Sequence, residues 1–193
     1  HPPCVAQLTD KPVEIYRLNL DVGIWWSAKQ AKQHSQAERG PMNHASRTVF
    51  QNNELLRHLD TAGIDRFAAV ASRRHFDHGT AIFTTGDTAD GIYGMISGQV
   101  RISAWTSNHD EINLQAYGPG RIFGVIGTID GLPRCATARA APSAEVFVIC
   151  RDHFLRLLAT DPLLVMSLVT VLCHSQRLAA QMIVEEYAQR RVP

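Results

Sequence analysis

Two hydrophobic patterns divide the chain into a β-rich part and helical flanks. Between residues 74 and 150, apolar residues occur in short runs of strand length that are separated by glycine-, asparagine- and aspartate-containing turns. These runs cover residues 75–77, 81–84, 93–97, 99–106, 111–117, 134–140 and 144–150. A series of short strands joined by tight turns predicts an antiparallel sandwich or jelly roll.

Apolar residues at helical spacing flank these runs on both sides. Before the strands, they predict two short helices that meet near residues 61–63: Leu55, Leu56, Leu59, Ile64, Phe67, Ala68 and Ala71. After the strands, Asp152 is expected to cap a short helix that runs through Leu158. Asp161-Pro162 then predicts the start of a long helix that reaches about Gln189. Its apolar stripe consists of Leu164, Leu168, Val171, Leu178 and Met182.

The stretch from residue 118 to residue 139 carries the candidate chemistry. Its glycines, at positions 118, 120, 124, 127 and 131, allow tight turns and close approach of the backbone to a ligand. About two helical turns fit between Phe123 and Asp130, and the free N–H groups at a helix start attract anions. Arg134 follows, and its guanidinium is suited to phosphate oxygens. These features predict a phosphate pocket; the alternative is that the glycines serve only turns and that Arg134 pairs with a carboxylate.

Two sequence segments resemble the cyclic-nucleotide-binding domains of the catabolite-activator (Crp/Fnr) family. Phe123-Gly124-Val125-Ile126-Gly127-Thr128, followed by Pro133-Arg134-Cys135-Ala136-Thr137-Ala138, is similar to the phosphate-binding cassette of that family. Residues 79–100, with turn glycines at positions 79, 86 and 98, resemble the opening of its β-roll. The resemblance implies an α+β fold, mainly β, in which a double-stranded β-roll (jelly roll) with flanking helices precedes a long C-terminal dimerisation helix.

The resemblance also implies a ligand site. Its cassette residues are Phe123, Gly124, Val125, Ile126, Arg134, Cys135 and Ala136, and the implied base contacts are Gln181 and Met182. Two positions depart from the family pattern, because Val125 replaces the glutamate that accepts from the ribose hydroxyl and Cys135 replaces a serine or threonine. A thiol is a poorer donor than a hydroxyl.

Two functions fit this pattern. The first is a ligand-sensing regulatory domain of a transcription regulator that binds an anionic effector, such as cyclic AMP or cyclic GMP, and signals through a dimer helix. The alternative is a degenerate β-roll that binds no nucleotide and acts as a dimerisation or protein-interaction module. The expected partners are therefore a small-molecule effector and a second copy of the chain.

Composition and the absence of certain sequence motifs exclude several classes of protein function. The 193 residues carry a net charge of +1, so no basic excess indicates a nucleic-acid or membrane-surface binder. No nucleophile motif is present, and we expect a protein that is not an enzyme, has no metal site and requires no cofactor. The longest apolar run, residues 162–173, is too short to cross a bilayer, and no secretory signal is visible, which predicts a cytoplasmic protein without membrane contact.

The cysteines are scattered, and Cys135 is expected to be a small buried side chain.

The predicted organisation has three parts. Residues 1–51 form an N-terminal extension that is either disordered or non-native, residues 52–160 form the β-roll with its short flanking helices, and residues 161–193 form the long helix. The winged helix-turn-helix that follows this helix in full-length family members is absent from the sequence. DNA binding is therefore expected only if such a domain exists elsewhere.

Overall fold

A computed structural model describes residues 40–41 and 47–190 of the chain. The helices are α1 (Arg47–Gln51), α2 (Thr61–Val70), α3 (Val125–Asp130), α4 (Arg151–Thr160) and α5 (Pro162–Arg190). The strands are β1 (Gly40–Pro41), β2 (Ser72–Phe76), β3 (Ala81–Phe83), β4 (Gly91–Trp105), β5 (Glu111–Tyr117), β6 (Ile122–Phe123) and β7 (Thr137–Cys150).

The strands form one antiparallel sheet that is bent into a roll. Its order is β1-β2-β7-β4-β5, with β3 also paired to β7 and β6 also paired to β4. The long strands β4 and β7 pair with register shifts between Met95 and Ser97 and between Gly98 and Val100. Such irregularities bend a strand pair. Gly98 has φ +76°, and a Cβ there would overlap the carbonyl oxygen of Ser143, so this bend requires glycine.

Two hydrophobic cores lie on opposite faces of β4 and β7. Val146 and Val148 of β7 face the inside of the roll, whereas Phe147 and Ile149 face the helices. The inner core is rich in aromatic and branched side chains, including Phe76, Ile82, Phe83, Tyr93, Met95 and Phe123. The outer core joins the sheet to all five helices through residues such as Phe50, Phe67, Val125, Phe154 and Leu164. The predicted β-roll with flanking helices and a long C-terminal helix is confirmed.

Two pairs of predicted strands are in fact single strands. The runs 93–97 and 99–106 belong to β4, and the runs 134–140 and 144–150 belong to β7, which begins only at Thr137. The turn-forming residues between them, such as Gly98, bend the strands without ending their pairing. The prediction for residues 111–117 agrees with the bounds of β5.

The first predicted helix before the roll is wrong. Residues 52–59 form turns although Leu55, Leu56 and Leu59 are buried as expected. Two hydrogen bonds replace helical ones, because the Leu55 N–H donates to the neighbouring Asn53 side chain and the Glu54 N–H donates to the carbonyl of Gly120, which is distant in the sequence. Asparagine competes with helical bonding in this way.

The second predicted helix is confirmed as α2, which begins at Thr61. The Asp60 side chain caps it by accepting from the Gly63 N–H at 2.7 Å. Most of the predicted N-terminal extension, residues 1–39 and 42–46, lies outside the described residues. Within residues 47–51 of the predicted extension, Phe50 of α1 is fully buried in the outer core.

Helix α5 begins where the sequence indicates. The Asp161 carboxylate accepts from the N–H groups of Leu163 (3.1 Å) and Leu164 (3.2 Å). Its other oxygen pairs with Arg66 of α2 at 2.9 Å. The predicted stripe is divided, because Leu164, Leu168 and Val171 are buried in the outer core while Met182 is 48% exposed.

We expect the Asp161→Ala substitution to destabilise the fold. It removes the cap of α5 and the pair with Arg66, so the free energy of unfolding should fall by about 1–2 kcal/mol. Urea denaturation measures this change. The matched control is Asp152→Ala, in the first turn of α4, where the side chain is exposed and the cap position is Cys150. Equal effects of the two substitutions would contradict the capping role of Asp161.

Candidate functional site

Arg134 is the centre of the candidate site. Its side chain is buried, with 3% of the residue exposed. Nη1 donates to the carbonyl oxygen of Gly124 at 2.6 Å. Nη2 donates to the carbonyl oxygen of Gly91 and to Oδ1 of Asp90, both at 2.7 Å. The guanidinium therefore ties the start of α3 to the start of β4, and the charge has the carboxylate partner that a buried cation requires.

Aromatic rings surround this guanidinium. Its central carbon lies 4.3 Å from the ring centroid of Phe83 and 5.6 Å from that of Tyr93, within the range of cation–π attraction. The Tyr93 ring stacks on Phe123 with centroids 5.3 Å apart. The Tyr93 hydroxyl donates to Asp90 at 3.0 Å. Burial, and then the Asp90 charge, raises the pKa of Tyr93 well above its usual range, so Tyr93 remains a neutral donor.

Gly124 is held in a conformation that favours glycine. Its φ is +77°, and a Cβ at this position would lie 2.9 Å from Nη1 of Arg134 and 3.2 Å from the Tyr93 ring. The Thr128 hydroxyl, one turn into α3, lies 2.8 Å from the carbonyl oxygens of both Gly124 and Gly91. The same two carbonyls thus bind Arg134 and Thr128, which fixes α3 against the roll.

The predicted cassette residues are only partly brought together. Phe123, Gly124 and Arg134 meet at the site. Val125 lies in the outer core on the other side of the sheet, and Ile126 is 60% exposed. Ala136 is buried, with 8% exposed.

Cys135 is exposed, so its predicted burial is wrong. It lies in a bend that precedes β7, between the buried residues Arg134 and Ala136. The predicted base contacts Gln181 and Met182 are also exposed, on the last turns of α5.

Two charged residues of the roll were not identified from the sequence pattern. Asp90 is the carboxylate partner of Arg134, although the two are far apart in the chain. Arg74 of β2 is 7% exposed, and its Nε and Nη1 have no hydrogen-bond partner among the described residues. A signal for Arg74 was present, because it alternates with Phe76 along β2 and so shares the inward face.

Other features of the described residues lie away from this site. Among residues 40–41 and 47–190, no cluster of three or more His, Cys, Asp or Glu side chains is arranged to hold a metal ion. A cavity of about 460 Å³ lies between the turns after α1, the Pro119–Arg121 turn and α5, and none of the predicted site residues lines it.

Comparisons with known proteins confirm the family resemblance. Residues 73–161 match the model of the family described as the cyclic nucleotide-binding domain. The cyclic AMP receptor protein of Thermus thermophilus is 28% identical over 128 residues, which cover 66% of this chain and 59% of that protein. The CRP-like protein Clp of Xanthomonas campestris is 32% identical over 104 residues, covering 53% of this chain and 45% of Clp. This chain therefore spans less than two thirds of the length of either relative.

The fold is similar to that of a solved catabolite activator. The crystal structure of the Thermus thermophilus catabolite activator protein aligns with a TM-score of 0.64 and 27% identity. The alignment covers 70% of this chain and 63% of that one. The sequence and fold comparisons thus point to the same domain.

The contact between Gly124 and Arg134 can be tested by adding a single methyl group. Gly124→Ala and Gly79→Ala both place a side chain at positive φ, +77° and +75° respectively, at a cost of about 1–2 kcal/mol. A Cβ at Gly79 meets nothing within 4 Å, whereas one at Gly124 meets Arg134 and Tyr93. Gly124→Ala should therefore lower the free energy of unfolding by about 1–3 kcal/mol more than Gly79→Ala in denaturant titrations. Equal losses would argue against tight packing around Gly124.

Proposed function

We propose that this chain is the ligand-sensing part of a transcription regulator. The premise is that residues 73–161 form a cyclic nucleotide-binding domain of the catabolite-activator type. An anionic effector such as cyclic AMP or cyclic GMP binds in the roll. Binding shifts the equilibrium position of α5, which pairs with α5 of a second copy. The role is regulatory, not catalytic.

The observation that carries this proposal is the buried Arg134 network. Two nitrogens of the guanidinium hold Gly124, Gly91 and Asp90, but its Nε is buried and has no hydrogen-bond partner among the described residues. A buried N–H without an acceptor is costly, and an anion relieves that cost. The proposed anion contacts are Arg134 and the cassette backbone around Gly124.

A chain of contacts connects this network to α5. The Asp90 carbonyl accepts from the N–H of Arg151, the first residue of α4. The Arg151 side chain donates to the Thr128 carbonyl of α3 at 2.9 Å. Helices α3, α4 and α5 share the outer core through Val125, Phe154 and Leu164 among others. A displacement at Gly124 is therefore transmitted to the base of α5 through packed groups.

The exposed side of α5 fits a dimer interface. Side chains at alternating steps of three and four residues form a coiled-coil seam, and all are exposed in the single chain: Met166, Val169, Cys173, Gln176, Ala180, Ile183 and Tyr187. This seam lies apart from Leu164 and Leu168, which pack in the chain's own core. A second copy supplies an apolar partner for it.

The apolar character of α5 also has a second interpretation. By length and composition alone, its residues Pro162–Ala188 could cross a membrane, with 22% of the most apolar window buried. This differs from our expectation based on residues 162–173. A dimer helix satisfies the same criterion, and the seam together with the buried Leu164 favours dimerisation, so we propose a cytoplasmic dimer.

The alternative of a degenerate module retains specific support. Both terminal nitrogens of Arg134 are already occupied by protein acceptors. Val125 lies in the outer core, so the position that carries the family glutamate offers no acceptor to a ribose. A roll that only positions α5 for dimerisation accounts for both observations.

Calorimetric titration with cyclic AMP and cyclic GMP separates these functions. Cys135 is exposed beside Arg134, so Cys135→Ser fits without repacking and restores the hydroxyl donor of the family pattern. We expect binding to the parent chain, tightening by about tenfold in Cys135→Ser and loss in Arg134→Met. Arg101→Met, on the exposed face of β4, is the control and should bind like the parent. Absence of heat in both the parent and Cys135→Ser would support the degenerate module.

The dimer seam predicts a position-specific effect of charge. Ile183→Glu places a carboxylate on the seam and should shift the dimer to monomer in analytical ultracentrifugation. Met182→Glu alters a residue of similar exposure that lies one position off the seam, and should leave the dimer intact.

In a parallel dimer, Cys173 also faces its counterpart, so a variant with serine at the other three cysteines should cross-link on mild oxidation. A monomeric parent chain, or equal effects of the two glutamates, would contradict the seam.

A further inference from the structure

Arg74 is a buried cation with no counterion among the described residues. It lies on β2, opposite Val146 of β7, and both side chains face the inside of the roll. Only 7% of the residue is exposed, and its Nε and Nη1 have no hydrogen-bond partner in the described part of the chain. The adjacent Arg73 differs, because it points outward and pairs with Glu145.

An uncompensated charge at this depth is unfavourable for folding. Removal of one partner from a buried ion pair is strongly destabilising because the remaining charge is desolvated without compensation. Methionine has a similar volume and would fill the same inward position beside Met95 and Val146 without this penalty. A buried arginine in this position is therefore explained most simply by a negative charge that enters the roll from outside the chain.

The balance of charge inside the roll indicates what that group is. The ionised side chains that influence the buried Tyr93 hydroxyl are Asp90, Arg134 and Arg74, of which one is negative and two are positive. Asp90 is bonded to Arg134, and these three side chains together carry one excess positive charge. One negative charge neutralises it, as a cyclic phosphodiester would, whereas a nucleoside 5′-monophosphate brings close to two at neutral pH.

We propose that Arg74 is an anion-binding residue of this roll, and that the ligand is a singly charged anion held by Arg74 together with Nε of Arg134. This inference rests on the proposed function, since it requires that the roll binds an anion. It goes beyond the cassette, because Arg74 comes from β2, far from residues 123–136 in the sequence. The terminal nitrogens of Arg134 keep their structural bonds, and Arg74 supplies the free charge.

The test compares Arg74→Met with the matched control Arg73→Met on the same strand. Cyclic AMP, 5′-AMP and adenosine are titrated calorimetrically into the parent chain and both variants. We expect the parent to bind cyclic AMP more tightly than the other two ligands. Arg74→Met should weaken cyclic AMP binding by about ten- to a hundredfold, as for loss of a charged hydrogen bond, while Arg73→Met binds like the parent.

Thermal unfolding without ligand gives an independent result. Because Arg74→Met removes a buried, unpaired charge, the Tm of the free protein should rise by about 5 °C. The same measurement confirms that the variant is folded. A fall in Tm would show that Arg74 has a stabilising partner and would overturn the inference.

The outcomes also separate this inference from the proposed function. If Arg74→Met binds cyclic AMP as tightly as the parent, the sensor remains and Arg74 is only a buried cation. If the parent binds no nucleotide, Tm is measured with inorganic phosphate in mildly acidic buffer, where phosphate carries mainly one charge. If phosphate raises the Tm of the parent and of Arg73→Met but not that of Arg74→Met, the result would support an anion site at Arg74 without a nucleotide function. If phosphate raises the Tm of none of the three chains, both the anion site at Arg74 and the proposed sensing function are overturned.

Discussion

The structure depends on one buried guanidinium. Arg134 is almost completely enclosed, and its terminal nitrogens bond to two backbone carbonyls and one carboxylate. These acceptors belong to the start of β4 and to the residue that precedes α3, so a single side chain determines how the cassette lies on the roll. The stacking of Phe83 and Tyr93 around it and the positive φ of Gly124 follow from the close packing that this requires.

The two cores give the site its connection to the rest of the chain. The inner core encloses Arg134 among aromatic rings, whereas the outer core joins the opposite face of the same strands to the helices. Adjacent residues of β4 and β7 therefore pack in different cores. Asp90 bridges them, since its carboxylate holds Arg134 and its backbone carbonyl accepts from the first residue of α4. This arrangement connects Arg134 to α4, which shares the outer core with α5.

The sequence was sufficient for much of the fold and for part of the site. Short apolar runs between turn residues located the strands, and Asp60 and Asp161 cap helices close to where helical spacing begins. Both interpretations of Arg134 had a basis, because it lies in the cassette and also pairs with a carboxylate. Its partner Asp90 is distant in the sequence, so local spacing could not identify that pair.

The errors have local physical causes. Residues 52–59 have helical spacing of leucines, but the Asn53 side chain and the Gly120 carbonyl take up the N–H groups that a helix would use. Cys135 was expected to be buried, but it lies in a bend before β7, where its side chain is exposed. Arg74 was not identified because arginine is usually exposed, although the alternation along β2 places its side chain on the inward face.

Hydrogen–deuterium exchange with and without saturating cyclic AMP tests most directly whether an effector in the roll acts on α5. We expect slower exchange both in residues 124–130, next to Arg134, and along the dimer seam of α5, and no ligand effect in an Arg134→Met chain. Slower exchange in the cassette with unchanged exchange along α5 would contradict the proposed signalling. Unchanged exchange throughout would contradict the ligand site as well.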